Sequence, residues 1–141
     1  MATGAENSVD DPSIEDHEKL LRRVHPDLVK PTGEPDSSNF KDDPGGIGTS
    51  VTVWRSGVDL ERVTQGNPDF GVIRIRAGEA RAEALGFVFT FEEGNPNHCE
   101  MFGARTAGKQ KRLRNKARWV RYPASYPEHL KGPLDEISSE D

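Results

Sequence analysis

The chain has 141 residues, a net charge of −5 and one cysteine, and 33% of its residues are hydrophobic. This length suits one domain, but the apolar fraction is too low for the whole chain to build a core. One cysteine excludes an internal disulfide, no apolar run approaches the roughly 20 residues of a membrane span, and the start lacks a secretory signal. We therefore expect a cytoplasmic protein that does not enter a membrane.

Both ends of the chain are predicted to be disordered tails. Residues 1–18 contain six acidic residues and no Lys or Arg, and residues 123–141 contain three prolines and close on "DEISSED". Segments of this composition bury too little surface to offset the entropy of ordering them. The predicted folded unit is therefore 19–122.

The first half of that unit is predicted to be helix, loop, strand, helix and strand. "HEKLLRRVHPDLV" places leucines and a valine at helical spacing until Pro26 ends the helix. A long Pro- and Gly-rich loop over 30–48 precedes the strand "TSVTVWRS". A short helix from about Val58 to Gln65 and the strand "GVIRIRA" follow.

The second half is predicted to contain two strands between two helices. "GEARAEALG" is a helix that ends at Gly86, "FVFTFEE" and "HCEMFG" are strands joined by the turn "GNPN", and "TAGKQKRLRNKARWVR" is the last helix. The fold class is α+β: a single small domain with an about four-stranded mixed or antiparallel sheet and two to four helices on one face.

"NPNHCEMFG" is the segment most suggestive of chemistry, because His98-Cys99-Glu100 contains the His-x-Glu of zinc deaminases. Those enzymes take two further ligands from a downstream Cys-x-x-Cys, and no cysteine follows Cys99. Too few ligands remain, so neither a metal nor any cofactor is predicted. Strand alternation instead places Cys99 and Met101 in the core and His98 and Glu100 on the opposite face.

Two interpretations of that opposite face remain open. His98 and Glu100 could be a hydrogen-bonded pair with no further role, or an acid/base couple in a polar cleft with His25, Ser37 and Ser38. An enzyme would act on a nucleotide-like or phosphate-containing substrate, with Arg22 or Arg23 holding phosphate. The order Arg22, Arg23 or His25, then Thr49 and Ser50, then Glu100 also resembles that of ADP-ribosyltransferases.

A basic segment gives the leading functional hypothesis. From Met101 to Pro127 there are eight Lys or Arg residues and no acid. Clustered cations on a helix are typical of a surface that contacts phosphates, and an aromatic side chain among them can stack on a base. The predicted binding residues on this helix are Lys109, Lys111, Arg112, Arg114, Lys116, Arg118 and Trp119.

The predicted function is therefore a binding or accessory module whose basic C-terminal helix engages nucleic acid or an acidic protein surface. In the alternative without a partner, the helix face is solvated or neutralised by the acidic ends of the chain. The enzyme is the second functional hypothesis, and the oligomeric state stays open.

The runs "LLRRVHPDLV", "PDSSNF", "SVTV", "NPNHCEMFG" and "RLRNKARWV" together resemble a family of small bacterial proteins. Its members carry an Arg-Arg-x-His-Pro opening, a Ser-Ser-x-x-Phe-like element, a Pro-x-His-Ala-Glu-like turn-strand and a closing Ala-x-Trp-Val. Here "SSNF" is one residue short and Cys99 replaces the alanine. The resemblance spans about residues 20–122 and implies a bounded domain, but no activity, because none is established for that family.

Overall fold

The computed structural model describes residues 9–43, 48–55, 58–90 and 92–135. Within these ranges the strands are β1 (Lys19–Val24), β2 (Thr49–Val53), β3 (Gly71–Arg76), β4 (Gly86–Phe89), β5 (His98–Phe102) and β6 (Arg118–Arg121). The α-helices are α1 (Leu60–Val63), α2 (Ala77–Arg81) and α3 (Ala107–Lys116), and single 3₁₀ turns span Pro26–Leu28, Ser37–Phe40 and Glu128–Leu130.

The six strands form one antiparallel sheet in the order β4-β5-β2-β1-β3-β6. The α+β class is confirmed, and the predicted number of about four strands is corrected to six. The antiparallel pairing expected between the two strands around "GNPN" is present, with Phe87 opposite Met101 and Phe89 opposite Cys99.

The first predicted helix is wrong, because its residues form β1. This strand lies between β2 and β3, with Leu20 opposite Val53 on one side and Ile75 on the other. Leu20 and Leu21 are both buried although they point to opposite faces of the sheet. A central strand covered on both faces has apolar residues on both, and in a short run that pattern can also match helical spacing.

The sheet has a large core on one face and a smaller one on the other. The main core includes Leu20, Val51, Ile73, Cys99 and Met101, and helices α2 and α3 pack onto it through Ala77, Ala80 and Leu113. On the second face Leu21 and Val72 pack with Val63 of α1. The sequence predicted all helices on one face of the sheet, whereas the structure has α2 and α3 on the main-core face and α1 on the second face.

The last predicted helix is half helix and half strand. Thr106 accepts a hydrogen bond from the Lys109 amide and starts α3, and Leu113 is its buried contact. Ala117 is extended, and the chain continues as β6 with Trp119 opposite Ile73. Pairing with the open edge of β3 thus takes precedence over helical continuation.

The turn that follows helix α2 contains an alanine with positive φ, and it comes before the glycine that was predicted to end the helix. Ala84 has φ +62°, whereas Gly86 is already the first residue of β4. A Cβ at Gly86 would lie 2.9 Å from the Cβ of Asp10, so this glycine admits a close chain approach instead of ending the helix.

The described parts of both predicted tails contact the sheet, which extends the folded unit beyond 19–122. Ile14 is buried in the main core, and the Asp11 amide donates to the Phe87 carbonyl at 2.8 Å. Tyr126 is buried, and Asp135 pairs with Arg74 at 2.7 Å. The outer parts of those tails, 1–8 and 136–141, lie outside the described residues.

Candidate functional sites

The alternation predicted for β5 is present. Cys99 and Met101 are fully buried in the main core, so His98 and Glu100 point to the second face. Across the sheet His98 lies opposite Thr52, and Glu100 lies opposite Ser50. The strand therefore brings the predicted acid/base pair to one face of the sheet.

His98 is held by two side chains of the β4–β5 connection. Its Nδ1 lies 2.7 Å from Thr90 Oγ1, and its Nε2 lies 3.4 Å from Glu92 Oε2. Only 13% of the His98 side chain is exposed. Both ring nitrogens thus have partners within the protein.

Glu100 is buried and receives one weak hydrogen bond, from Ser50 Oγ at 3.4 Å. Burial raises the pKa of this carboxyl, and the neighbouring Asp43 charge raises it further, while His98, Ser50 and Arg22 oppose the change. A carboxyl in this environment holds a proton more readily than an exposed one.

Arg22, predicted to hold phosphate, is already occupied by an internal carboxylate. Its two terminal nitrogens bind Asp43 at 3.2 and 2.9 Å, and it also donates to the carbonyls of Asn39 and Ser50. Burial alone would raise the pKa of Asp43, but the bonds and charge of Arg22 and the Ser50 amide hold it below its ordinary value. Arg22 therefore holds Asp43 against the sheet.

The other predicted cleft residues are not brought to His98. The cavity beside His98 is lined by Arg22, Arg23 and Ser50, but by neither His25 nor the Ser37–Phe40 turn. His25 caps the 3₁₀ turn at Pro26, where its Nδ1 accepts from the Asp27 amide at 3.0 Å, and half of its side chain is exposed. Asp36 caps the Ser37–Phe40 turn, where its Oδ1 accepts a hydrogen bond from the Ser38 amide at 2.9 Å.

Helix α3 displays the predicted basic surface, and its cations fall into two groups. Arg112 pairs with Glu83 at 2.8 Å and Arg114 approaches Glu34 at 3.8 Å. Four other cations, three in α3 and one at the start of β6, have no carboxylate within ion-pair distance among the described residues. We call these four the α3 surface: Lys109, Lys111, Lys116 and Arg118.

An aromatic groove adjoins the end of α3. It has a volume of about 630 Å³, and its lining includes Arg114, Arg118, Trp119 and Tyr122. The ring centroids of Trp119 and Tyr122 are 5.5 Å apart, and the Trp119 Nε1 donates to the Gly33 carbonyl. Trp119 is therefore fixed in the groove wall and not free on a helix flank.

The acidic ends of the chain, where described, pair away from α3. Asp10 and Asp16 bind Arg81, and Glu18 binds Arg55. Asp135 pairs with Arg74 and Lys19. The interpretation that these acids neutralise the basic helix therefore fails for the described residues.

Two arginines occupy positions that the sequence does not predict. Arg105 belongs to the basic segment, yet only 6% of its side chain is exposed and it donates to the carbonyls of Phe40, Gly103 and Met101. Arg62 of α1 lines the cavity beside His98. Neither residue carries a local signal, because both depend on contacts distant in sequence.

Comparison with known proteins gives no assignment: no family model, curated protein or solved structure matches this chain. The resemblance to a bacterial family therefore stays a prediction. In the described parts of the chain, no three His, Cys, Asp or Glu side chains are grouped to hold a metal ion. The described helices are all too short or too polar to cross a bilayer.

Proposed function

We propose that the protein is a small module that binds an anionic polymer through the α3 surface. Single-stranded nucleic acid is the ligand that the surroundings favour, and an acidic protein surface is the other outcome to be tested.

The observation that supports this proposal is that the four cations of the α3 surface have no carboxylate partner in the part of the chain that the structure describes. Lys111, Lys116 and Arg118 are exposed. Lys111 precedes Leu113 and lies about 200° from it around the helix, so it points away from the core. Most other described arginines are paired, as in the Arg55–Glu18 and Arg81–Asp10 contacts. An acidic protein with a cluster of cations that have no carboxylate partner among the described residues favours a local site for an anion.

The groove favours nucleic acid over an acidic protein. Arg118 belongs both to the α3 surface and to the groove lining, so cations and the aromatic wall of Trp119 and Tyr122 are continuous. Single strands combine phosphates with flat bases, and sites for them combine cations with aromatic side chains. An acidic protein surface would need the cations alone.

The enzyme hypothesis has less support. His98 bonds to Thr90 and Glu92, and Glu100 contacts Ser50. Arg22 is neutralised by Asp43, and Thr49 donates its hydroxyl to the Lys41 carbonyl at 2.6 Å. No specific contact of these groups favours catalysis as a second function.

Salt-dependent binding of a single-stranded oligonucleotide tests the proposal. With about 0.7 counterions released per neutralised phosphate, four cations give a slope of roughly −3 for log affinity against log salt concentration. Lys111→Glu combined with Lys116→Glu should weaken binding at every base composition and reduce that slope to about half. Fluorescence anisotropy of a labelled oligonucleotide measures both quantities.

Arg76→Glu is the control variant. Arg76 lies at the end of β3 opposite Lys19, donates to the His17 carbonyl, and is neither part of the α3 surface nor among the residues that line the groove. It should bind as the parent does. An acidic peptide that binds as tightly as the oligonucleotide would assign the surface to a protein partner, and affinity that does not change with salt would refute the proposal.

A further inference from the structure

We infer that the cavity beside His98 is a binding site for a small tetrahedral oxyanion, a phosphate group, with Arg23 and Arg62 as its charged donors. This site lies on the second face of the sheet and does not depend on the α3 surface.

The cavity lies between the sheet and a cover made of α1 and the β4–β5 connection. Its volume is about 70 Å³. Strands β1 and β2 contribute Arg23, Ser50 and Thr52, while the cover contributes Arg62, Gln65 and Asn95. All six side chains carry at least one hydrogen-bond donor.

The charge balance of the lining favours an anion. The residues that line the cavity include three arginines, Arg22, Arg23 and Arg62, and one acid, Glu92. Asp43 neutralises Arg22, and Glu92 lies 3.4 Å from His98. Arg23 and Arg62 have no carboxylate within ion-pair distance among the described residues, so their charge is available to a ligand.

Both arginines are positioned by neighbours. The Arg23 guanidinium lies 5.0 Å from the centroid of the Phe70 ring, a contact that favours the charged planar group. Arg62 packs over Gly94, where an added Cβ would lie 2.7 Å from Nη1. Gly94, at φ +78°, thus leaves room for the guanidinium.

The size of the cavity limits the ligand. A volume of about 70 Å³ is close to that of two water molecules, at roughly 30 Å³ each. One phosphate group has that scale, whereas a base or sugar does not. Guanidinium forks match phosphate oxygens in pairs, which favours phosphate over chloride. The remainder of a phosphomonoester would extend into solvent.

Titration with inorganic phosphate at constant ionic strength tests the inference, with chemical shifts of Arg62, Asn95 and His98 amides as the readout. We expect saturable binding at one site. Arg62→Gln and Arg23→Gln should each weaken it at least about 10-fold, because each removes a charge-assisted donor. Lys41→Gln, an exposed cation outside the cavity, should leave the affinity unchanged.

Comparison of phosphate with phosphoserine distinguishes the two sources of the group. Tighter binding of phosphoserine would indicate a phosphomonoester, and equal or weaker binding would indicate the free ion. Absence of saturable shifts, or binding that both arginine variants retain, would overturn the inference. Thermal unfolding of each variant confirms that the comparison concerns folded protein.

Discussion

Neighbouring residues of β5 experience opposite environments because successive side chains of a strand point to opposite faces. His98 contacts polar groups of the second face, whereas Cys99 is fully buried in the main core. Burial raises the pKa of the Cys99 thiol to about 12. The cysteine therefore behaves as a small hydrophobic side chain and not as a nucleophile.

Alkylation of the folded protein tests this environment. A free thiol has a pKa of about 8.5, so at mildly basic pH the folded protein should react with iodoacetamide at least ~100-fold more slowly than free cysteine. Mass spectrometry follows the labelling. In denaturant the rate should reach that of free cysteine, and Cys99→Ala with Ser125→Cys should react fast when folded, because Ser125 is exposed. Rapid labelling of native Cys99 would contradict this burial.

Among the secondary-structure elements, the turn that follows α2 carries local strain. Ala84 at φ +62° places a Cβ in a conformation that glycine adopts freely. In that region an L-residue costs roughly 1–2 kcal/mol. Leu85 and Phe87, which follow, are buried, so tertiary packing holds the turn in place.

Ala84→Gly should therefore raise the free energy of unfolding by about 1 kcal/mol, since the relieved strain exceeds the added entropy of the unfolded chain. Ala82→Gly is the matched control: Ala82 has φ −62°, and its change should destabilise by about 0.5–1 kcal/mol. Urea unfolding measures both. Equal destabilisation by the two substitutions would show that Ala84 is not strained.

At the scale of the whole molecule, carboxylates tie distant segments to the sheet. Hydrogen bonds from Arg55 hold the pKa of Glu18 below its ordinary value. At Asp43 and Asp135, burial alone would raise the pKa, but the hydrogen bonds and charges of Arg22 and Arg74 outweigh burial and lower it. A carboxyl whose pKa is lowered by folding stabilises the folded state at pH values above its pKa in the unfolded chain. This stability is lost as the pH falls through its pKa in the folded protein.

We therefore expect the urea midpoint to be steady near neutrality and to fall below about pH 4, where unfolded carboxylates begin to bind protons. Asp43→Asn should flatten part of this fall, and Asp69→Asn, at an exposed turn, should not.

Glu100 changes stability with pH in the opposite direction, because its pKa is raised in the folded state. Its protonated carboxyl favours the folded state at pH values below its pKa in the unfolded chain. That contribution is lost as the pH rises through its pKa in the folded protein. Glu100→Gln should accordingly be more stabilising at neutral than at acid pH.

Several features could be predicted locally. The strands at "TSVTVWRS", "GVIRIRA" and "HCEMFG" follow from alternation and β-branched residues, and the burial of Cys99 and Met101 follows from the same period. The extent of the folded unit could not be predicted, because the composition of an acidic segment indicates disorder and does not show which basic residues it pairs with in the fold. Arg81 and Arg55 are those partners for residues 10–18.

Local period and charge are enough to predict the α+β class, most strand positions, the faces of β5 and the cluster of cations around α3. Three features follow only from contacts in the folded chain: "KLLRRV" is a central strand, "RWVR" pairs with β3, and Arg22 is neutralised by Asp43. The tertiary structure also shows which cations have no carboxylate partner within the described ranges, and the two proposed anion sites depend on those cations. The physical reason is that strand pairing and ion pairing join residues far apart in the chain, and local propensity carries no information about such partners.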